Sequence, residues 1–486
     1  MNAPHELGLT PDDLADLDIS PQAFERLVGQ LMPRLQEQLR ALPELPAQGD
    51  VDAEELCREL AQDPAPEHGR AFEELLEPYF RDWLPRTFLT PGPGYLAFIP
   101  GGGLLSSVLA DLLAGATNRY TGVWQAAPAL VQLEANALRW LAEWMGFPES
   151  ARGLLTTGGS QANFSAIVTA REARLGEHLR EGVLYTSSQA HLCVSKSAQL
   201  AGVLPDRVRR LPVDAHFRMR TDALAEAVAA DRAAGLRPFM VVSSAGTTNT
   251  GAVDPLEEIG ALCAEQSLWH HVDGAYGACF HMVPELRPLL AGMSRADSLA
   301  LDPHKGFFLP YGNGALLVRD GAALRAAHAG TASYLPDPAA EEFMDPAQYG
   351  PELSRDFRGL RLWLSLQLFG AERFRAALAE KRALAVQAAD DVSTLPGIEM
   401  VAPPQLSLFA FQLAAPGDDL ERRNARTRAL LQAVNARGRV FLTGCTVDDG
   451  RFLARVCVLS FRTRAERMRA CVDDLREVAA ELLARD

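Results

Sequence analysis

The sequence predicts an α/β protein built around a mostly parallel sheet, and three features carry that prediction. Short apolar runs, too brief for helices, alternate with longer stretches of helical spacing. Those runs are apolar throughout, as in strands covered on both faces. Small, polar and glycine-rich turns follow them, at the strand ends where ligands of parallel sheets collect.

Taken in order, residues 1–90 read as an acidic helical segment. Phe24, Leu27, Leu31 and Leu35 recur at helical spacing over 21–42, and proline-rich breaks follow at 43–46 and 64–66. With so little strand signal this segment would hardly form its own core, so it is expected to wrap a partner subunit. Residues 91–370 form the large α/β domain. Strands are expected at 182–185, 239–243, 269–272, 299–301 and 315–318, with helices at 161–175, 222–234 and 256–265 between them. Residues 371–486 open with a long Ala/Arg/Leu helix. They then mix strands at 406–413 and 452–459 with a closing helix at 464–483, as a smaller α+β domain.

The composition excludes several classes of function. A net charge of −15 with no basic block argues against a sequence-independent nucleic-acid binder. There is no run long and apolar enough for a membrane span, and the first residues lack a basic-then-apolar signal, so a cytoplasmic protein is expected. Seven cysteines without a CxxC pair favour reduced thiols over disulfides or a zinc site. Adjacent His270 and His271 have no second ligand at metal spacing, so no metal is expected.

Lysine is the rarity that points to chemistry. Only Lys196, Lys305 and Lys381 stand among 47 Lys and Arg residues. Lys305 closes the apolar run 298–301 in Asp302-Pro-His-Lys305, where an amine can attack a carbonyl and a guanidinium cannot. Lys196 shares a helix-like stretch with His191, and Lys381 sits in the charged run Glu-Lys-Arg, read as a solvated face.

Four turns accompany Lys305. TTGGSQAN at 156–163 is either a glycine-rich helix cap or an anion cradle at a helix N-terminus, with Ser160 adding a hydroxyl. His191 after the 182–187 strand is either a cap or a flat ring for stacking. SSAGTTNTG at 243–251 is a small polar loop suited to a ligand. Asp273 in HVDGAYG ends a buried strand, where an unpaired carboxylate is costly and needs a cationic partner such as a protonated pyridine. Together these supply an anion cradle, a stacking ring, a carboxylate and a carbonyl-reactive amine, the four handles that pyridoxal 5′-phosphate requires.

In these motifs and their order the chain resembles the pyridoxal-phosphate-dependent group II amino-acid decarboxylases, which include the aromatic-L-amino-acid and glutamate decarboxylases. The resemblance begins near residue 75 and runs almost to the C-terminus. It implies fold type I of the pyridoxal-phosphate-dependent enzymes, with a seven-stranded, mostly parallel sheet. It also implies a homodimer with active sites at the interface. Carried over residue by residue, it implies that Lys305 binds the cofactor aldehyde and that Asp273 keeps the ring nitrogen protonated. Ala275 and His191 would cover the two ring faces. Gly159, Ser160 and His304 would serve the phosphate, and Thr248 the ring substituents. Phe98, Ile99, Pro100, Tyr120 and Trp124 would line the substrate side, the last two from the partner subunit.

Three departures from the family pattern stand out. Asp302 replaces an asparagine common near the phosphate, and Phe98 replaces a tyrosine. In the loop expected over 334–355, Tyr349 is the nearest tyrosine to the family's catalytic one, slightly out of register. The implied reaction is decarboxylation of an aromatic or apolar amino acid. Because Arg119 adjoins Tyr120, an acidic substrate stays open, as does an aldehyde-forming oxidative deamination or another lyase reaction on the same fold.

Overall fold

The computed structural model describes residues 17–50, 52–330, 333 and 342–484. Seven strands form the large sheet: β1 (Arg152–Thr156), β2 (Gly182–Ser187), β3 (Val208–Leu211), β4 (Arg237–Ser244), β5 (Trp269–Asp273), β6 (Ser298–Leu301) and β7 (Gly314–Val318). Their order is β1-β7-β6-β5-β4-β2-β3. The pairings from β6 through β3 are parallel, and β7 runs antiparallel to both of its neighbours.

Strands β2, β5, β6 and β7 are buried along their whole length, which is why they read as unbroken apolar runs. The helix Gly159–Leu175 packs across one face of the sheet, and its buried side carries Ala162, Ala166 and Ala170. Alanines there let the helix lie close to the strands. Helices Thr221–Ala233 and Leu256–Glu265 cover strands β2 to β5 through Leu224, Val228 and Ile259.

The helix Arg358–Ser393 leaves helical geometry at Gly370, where φ is +70°. A positive φ is what glycine tolerates without a Cβ penalty. Beyond it lies a second, four-stranded antiparallel sheet of order β10-β11-β9-β8, made of β8 (Ile398–Ala402), β9 (Leu408–Leu413), β10 (Thr443–Thr446) and β11 (Phe452–Cys457). Its core gathers Phe409, Phe411, Leu430 and Leu475 beneath helices Leu420–Ala436 and Ala465–Leu483.

Lys381 does not lie on a solvated face. It is fully buried, donates to the Thr463 carbonyl and pairs with Glu380 at 3.1 Å. The charged run Glu-Lys-Arg hid a helix position that faces Thr463. A buried ammonium needs partners of this kind, and it has them.

The N-terminal segment forms helices Pro21–Ala41 and Phe72–Pro78, tied by Arg34 to Glu73 and Glu77 at 3.0 and 2.8 Å. Residues 1–16 of the expected helical segment lie outside the described residues.

Candidate functional site

The carboxyl ends of β1, β2, β4, β5 and β6 open into one cavity of about 300 Å³. It is lined by Gly159, Ser160, His191, Thr248, Asp273, Ala275, His304 and Lys305, so the sequence motifs meet at one place. Parallel strands all deliver their C-terminal turns to the same edge, which is how residues 150 positions apart converge.

Each wall has a local cause. Gly159 begins the helix after β1, and a Cβ there would stand 3.0 Å from the Ala275 Cβ and 3.3 Å from Asp302 Oδ2. Its missing side chain therefore keeps the floor of the cradle open. His191 caps the helix Leu192–Leu200, its Nδ1 accepting from the Cys193 amide at 3.3 Å, so capping and facing the cavity are compatible. The free N–H groups of the helix after Gly158 suit an anion.

Asp273 ends β5 with little exposure. Burial raises its carboxyl pKa, while Lys305 and the Ala275 amide oppose that rise. Oδ1 accepts from the Ala275 amide at 3.1 Å and Oδ2 from Asn163 Nδ2 at 3.2 Å.

Lys305 follows β6 on a single turn, Pro303–Gly306, with its amine 2.9 Å from Asp302 Oδ2. Burial pushes the amine pKa down, but the Asp302 and Asp273 carboxylates outweigh burial and hold it above the usual lysine range. Asp302 is turned toward the lysine, and its Oδ1 is buried without a partner. His304 donates from Nδ1 to the Asn313 carbonyl at 2.8 Å and brings Nε2 to 3.5 Å from Asp302. Burial pushes its imidazole below the ordinary histidine range.

The substrate-side residues are placed differently. Gly101 lies against the Lys305 turn so closely that a Cβ would meet the His304 carbonyl at 1.9 Å. This brings the 98–101 segment beside the lysine. Phe98 is half exposed at φ +51°, whereas Ile99 packs into the main core and Pro100 is buried. Tyr120 donates to the Leu353 carbonyl at 3.1 Å, and Trp124 stacks on Phe343 with centroids 4.4 Å apart. Both aromatics contact the 342–353 stretch of their own chain, and neither lines the lysine cavity.

Tyr349, the loop tyrosine nearest to the family's catalytic one, does not line the lysine cavity. Its ring packs on the core clusters and borders a separate cavity with Arg152, Arg325 and Gln348. Residues 334–341 of the expected loop lie outside the described residues.

Two residues were missed in the sequence. Arg455 on β11 is buried, and no carboxylate among the described residues pairs with it. It donates to the Asn249 carbonyl and Thr443 Oγ1, each at 2.9 Å, to the Phe98 carbonyl at 3.4 Å, and to the Thr248 carbonyl. It ties β11 to the Thr248 loop and to the Phe98 segment. The signal was a lone charge inside the apolar run 452–457. Asn163 is the other, in the turn TTGGSQAN but read only as part of a glycine-rich cap or anion cradle. Among the described residues no cluster of His, Cys, Asp or Glu is arranged to hold a metal.

The donor set fits pyridoxal 5′-phosphate: a cradle that a Cβ would fill, a buried carboxylate and an amine line the same cavity. The sequence matches the pyridoxal-dependent decarboxylase conserved domain over residues 55–414. It is 32% identical to the aromatic-L-amino-acid decarboxylase of Bacillus atrophaeus over 470 residues, covering 96% of this chain and 98% of that one. It is 30% identical to phenylacetaldehyde synthase of Arabidopsis thaliana, covering 87% and 89% of the two chains. The fold superposes on a crystal structure of Oryza sativa TDC with pyridoxal phosphate and tryptamine at a TM-score of 0.91 and 26% identity. That match covers 96% of this chain and 100% of the other. The chain belongs to the pyridoxal-dependent decarboxylase family, and it is a pyridoxal-phosphate-dependent carboxy-lyase with an α/β fold of type I.

Proposed function

We propose that this carboxy-lyase releases carbon dioxide from an aromatic L-amino acid and leaves the arylalkyl amine. The observation that carries the aromatic reading is Phe98, half exposed and held at positive φ beside the lysine turn. A phenyl offers no hydrogen-bonding group, so it suits an apolar ring better than an acidic side chain. Positive φ at a non-glycine residue costs on the order of 1–3 kcal/mol and collects at functional sites. Phe308, just past Lys305, shares it at +60°. The relatives named for aromatic amino acids support the same substrate class.

In this reading Lys305 would hold the cofactor by its aldehyde, and Asp273 would pair with the ring nitrogen. His191 and Ala275 would cover the ring. Gly159, Ser160 and His304 would serve the phosphate, and Thr248 the ring substituents. Bound there, pyridoxal phosphate supplies the electron sink that accepts the electrons of the broken carbon–carboxylate bond. Arg455 steadies the Thr248 loop and the Phe98 segment from the small domain, which we take to begin at the Gly370 break.

A second copy of the chain completes the site. Leu105, Val108, Leu109, Leu112 and Leu113 form a stripe on the helix Leu105–Thr117, each about half exposed. That contiguous apolar face is what a homodimer interface buries. The seven cysteines are all unpaired thiols, which fits a reducing cytoplasm.

The position of Tyr349, away from the lysine, favours one second reading: decarboxylation coupled to oxidative deamination. That reaction consumes oxygen and water and yields aldehyde, ammonia and hydrogen peroxide with the carbon dioxide. One experiment tests both readings. The enzyme is given tryptophan, tyrosine, phenylalanine, Dopa and glutamate while carbon dioxide, amine and peroxide are followed together. Amine from an aromatic substrate is expected; peroxide in proportion to carbon dioxide would replace the first reading with the second. Carbon dioxide from glutamate alone would reject both.

A further inference from the structure

Behind Asp273 the hydrogen bonds permit only one placement of protons. Asn163 is fully buried, and one end of its amide faces two oxygen acceptors, the Gly159 carbonyl at 2.8 Å and Asp273 Oδ2 at 3.2 Å, with Cys193 Sγ at 3.5 Å. Only the NH2 end can serve both, so its partners fix the amide's orientation. The other end, Oδ1, lies 2.9 Å from His271 Nε2. An amide oxygen accepts, so Nε2 carries hydrogen.

His271 is itself fully buried, and burial, with neighbouring His270 adding to it, pushes its pKa down to about 3. A neutral ring with hydrogen on Nε2 has a bare Nδ1. Ser298 Oγ, 2.8 Å away, must donate to it. Ser298 Oγ in turn accepts from Trp269 Nε1, a donor only, at 2.8 Å. The donors therefore run one way, from Trp269 through Ser298, His271 and Asn163 onto the carboxylate.

We infer that Asn163 and His271 are positioning residues for Asp273, holding its carboxylate anionic and aimed at the cofactor's ring nitrogen. Desolvation disfavours that anion, and each hydrogen bond donated to it opposes the penalty. In a low-dielectric interior, hydrogen bonds aligned in one direction polarise one another, so the last bond is stronger than an isolated amide could make. An apolar residue in place of Asn163 would free Asp273 Oδ2 and leave His271 Nε2 without an acceptor, two buried groups unsatisfied by one change.

The inference rests on the reading of Asp273 as the ring-nitrogen partner, and the test separates the two. Release of pyridoxal phosphate from the holoenzyme is followed by loss of its visible absorbance after dilution into a cofactor scavenger. Asn163→Leu is expected to release it at least tenfold faster and to lower kcat with KM within threefold. Asp273→Asn should exceed both effects. If Asp273→Asn releases cofactor fast while Asn163→Leu matches the parent in release and kcat, the relay is overturned and the Asp273 role stands. If Asp273→Asn behaves as the parent, the Asp273 role falls first. Nitrogen-15 NMR of His271 in the unmodified holoenzyme covers the case in which the variant does not fold. The neutral ring with hydrogen on Nε2 is expected, and a ring protonated on Nδ1 would overturn the relay.

Discussion

The two halves of the site are built to different standards. On the cofactor side, Asp273 ends β5 and His304 and Lys305 sit on the turn after β6, and the Asp273 carboxylate, His304 Nδ1 and the Lys305 amine each have a partner at 3.2 Å or less. On the substrate side, Phe98 is half exposed, and Tyr120 and Trp124 face their own chain's 342–353 stretch rather than the lysine. The cofactor half is assembled within a single chain; the substrate half is the one that the proposed homodimer would complete. Binding the cofactor and turning over the substrate should therefore be separable.

The largest effect should come from breaking the finished half. Lys305→Ala is expected to cut carbon dioxide release by more than about 10³-fold. It should also abolish the lysine-linked absorbance of the holoenzyme. An unchanged yellow protein would remove Lys305 from its role. Next in size is a test of the unfinished half. Leu109→Asp places a charge in the exposed leucine stripe of the helix Leu105–Thr117. It should give a monomer by light scattering and lose activity more than about tenfold, with cofactor absorbance retained. Full activity in a monomer would mean the substrate half is complete after all.

Asp302→Asn probes the one anomaly of the finished half. Asp302 raises the Lys305 pKa against the lowering effect of burial. Removing its charge should leave more free amine at any pH below both values, and each unit of lowering gives about a tenfold gain. Cofactor capture by stopped flow should therefore quicken in the variant below the lysine pKa and converge with the parent above it. The smallest effect is expected from Phe98→Tyr, which adds a hydroxyl to the open wall. It should shift the ratio of kcat/KM for tyrosine over tryptophan by less than about tenfold.

What was legible in the sequence follows the same physical division. Central strands β2, β4, β5, β6 and β7 were readable because cover on both faces demands apolar residues. The strands not anticipated, β1, β3, β8 and β10, are the four sheet edges. β3 is Val-Arg-Arg-Leu with a single buried residue, a pattern no apolar run announces. In the site, residues at strand ends were found because the parallel topology delivers them to one edge. Arg455 and Asn163 were missed because their importance lies in what they touch across 207 and 110 positions of chain, and neighbouring residues carry no trace of that. Tyr349 presents the opposite case. A loop tyrosine can be matched by spacing, but its packing on the core depends on side chains brought from elsewhere.

The burial of the lysines has a practical outcome. Lys196 is exposed, Lys305 shows about a quarter of its side chain, and Lys381 shows none. An acylating reagent would therefore meet three side-chain amines on three clocks. The first reacts at once, the second only when the proposed cofactor has left it, and the third only when the packing around Lys381 opens. Mass spectrometry of timed samples would read loading and unfolding from the same unmodified molecule, without a tag or a dye.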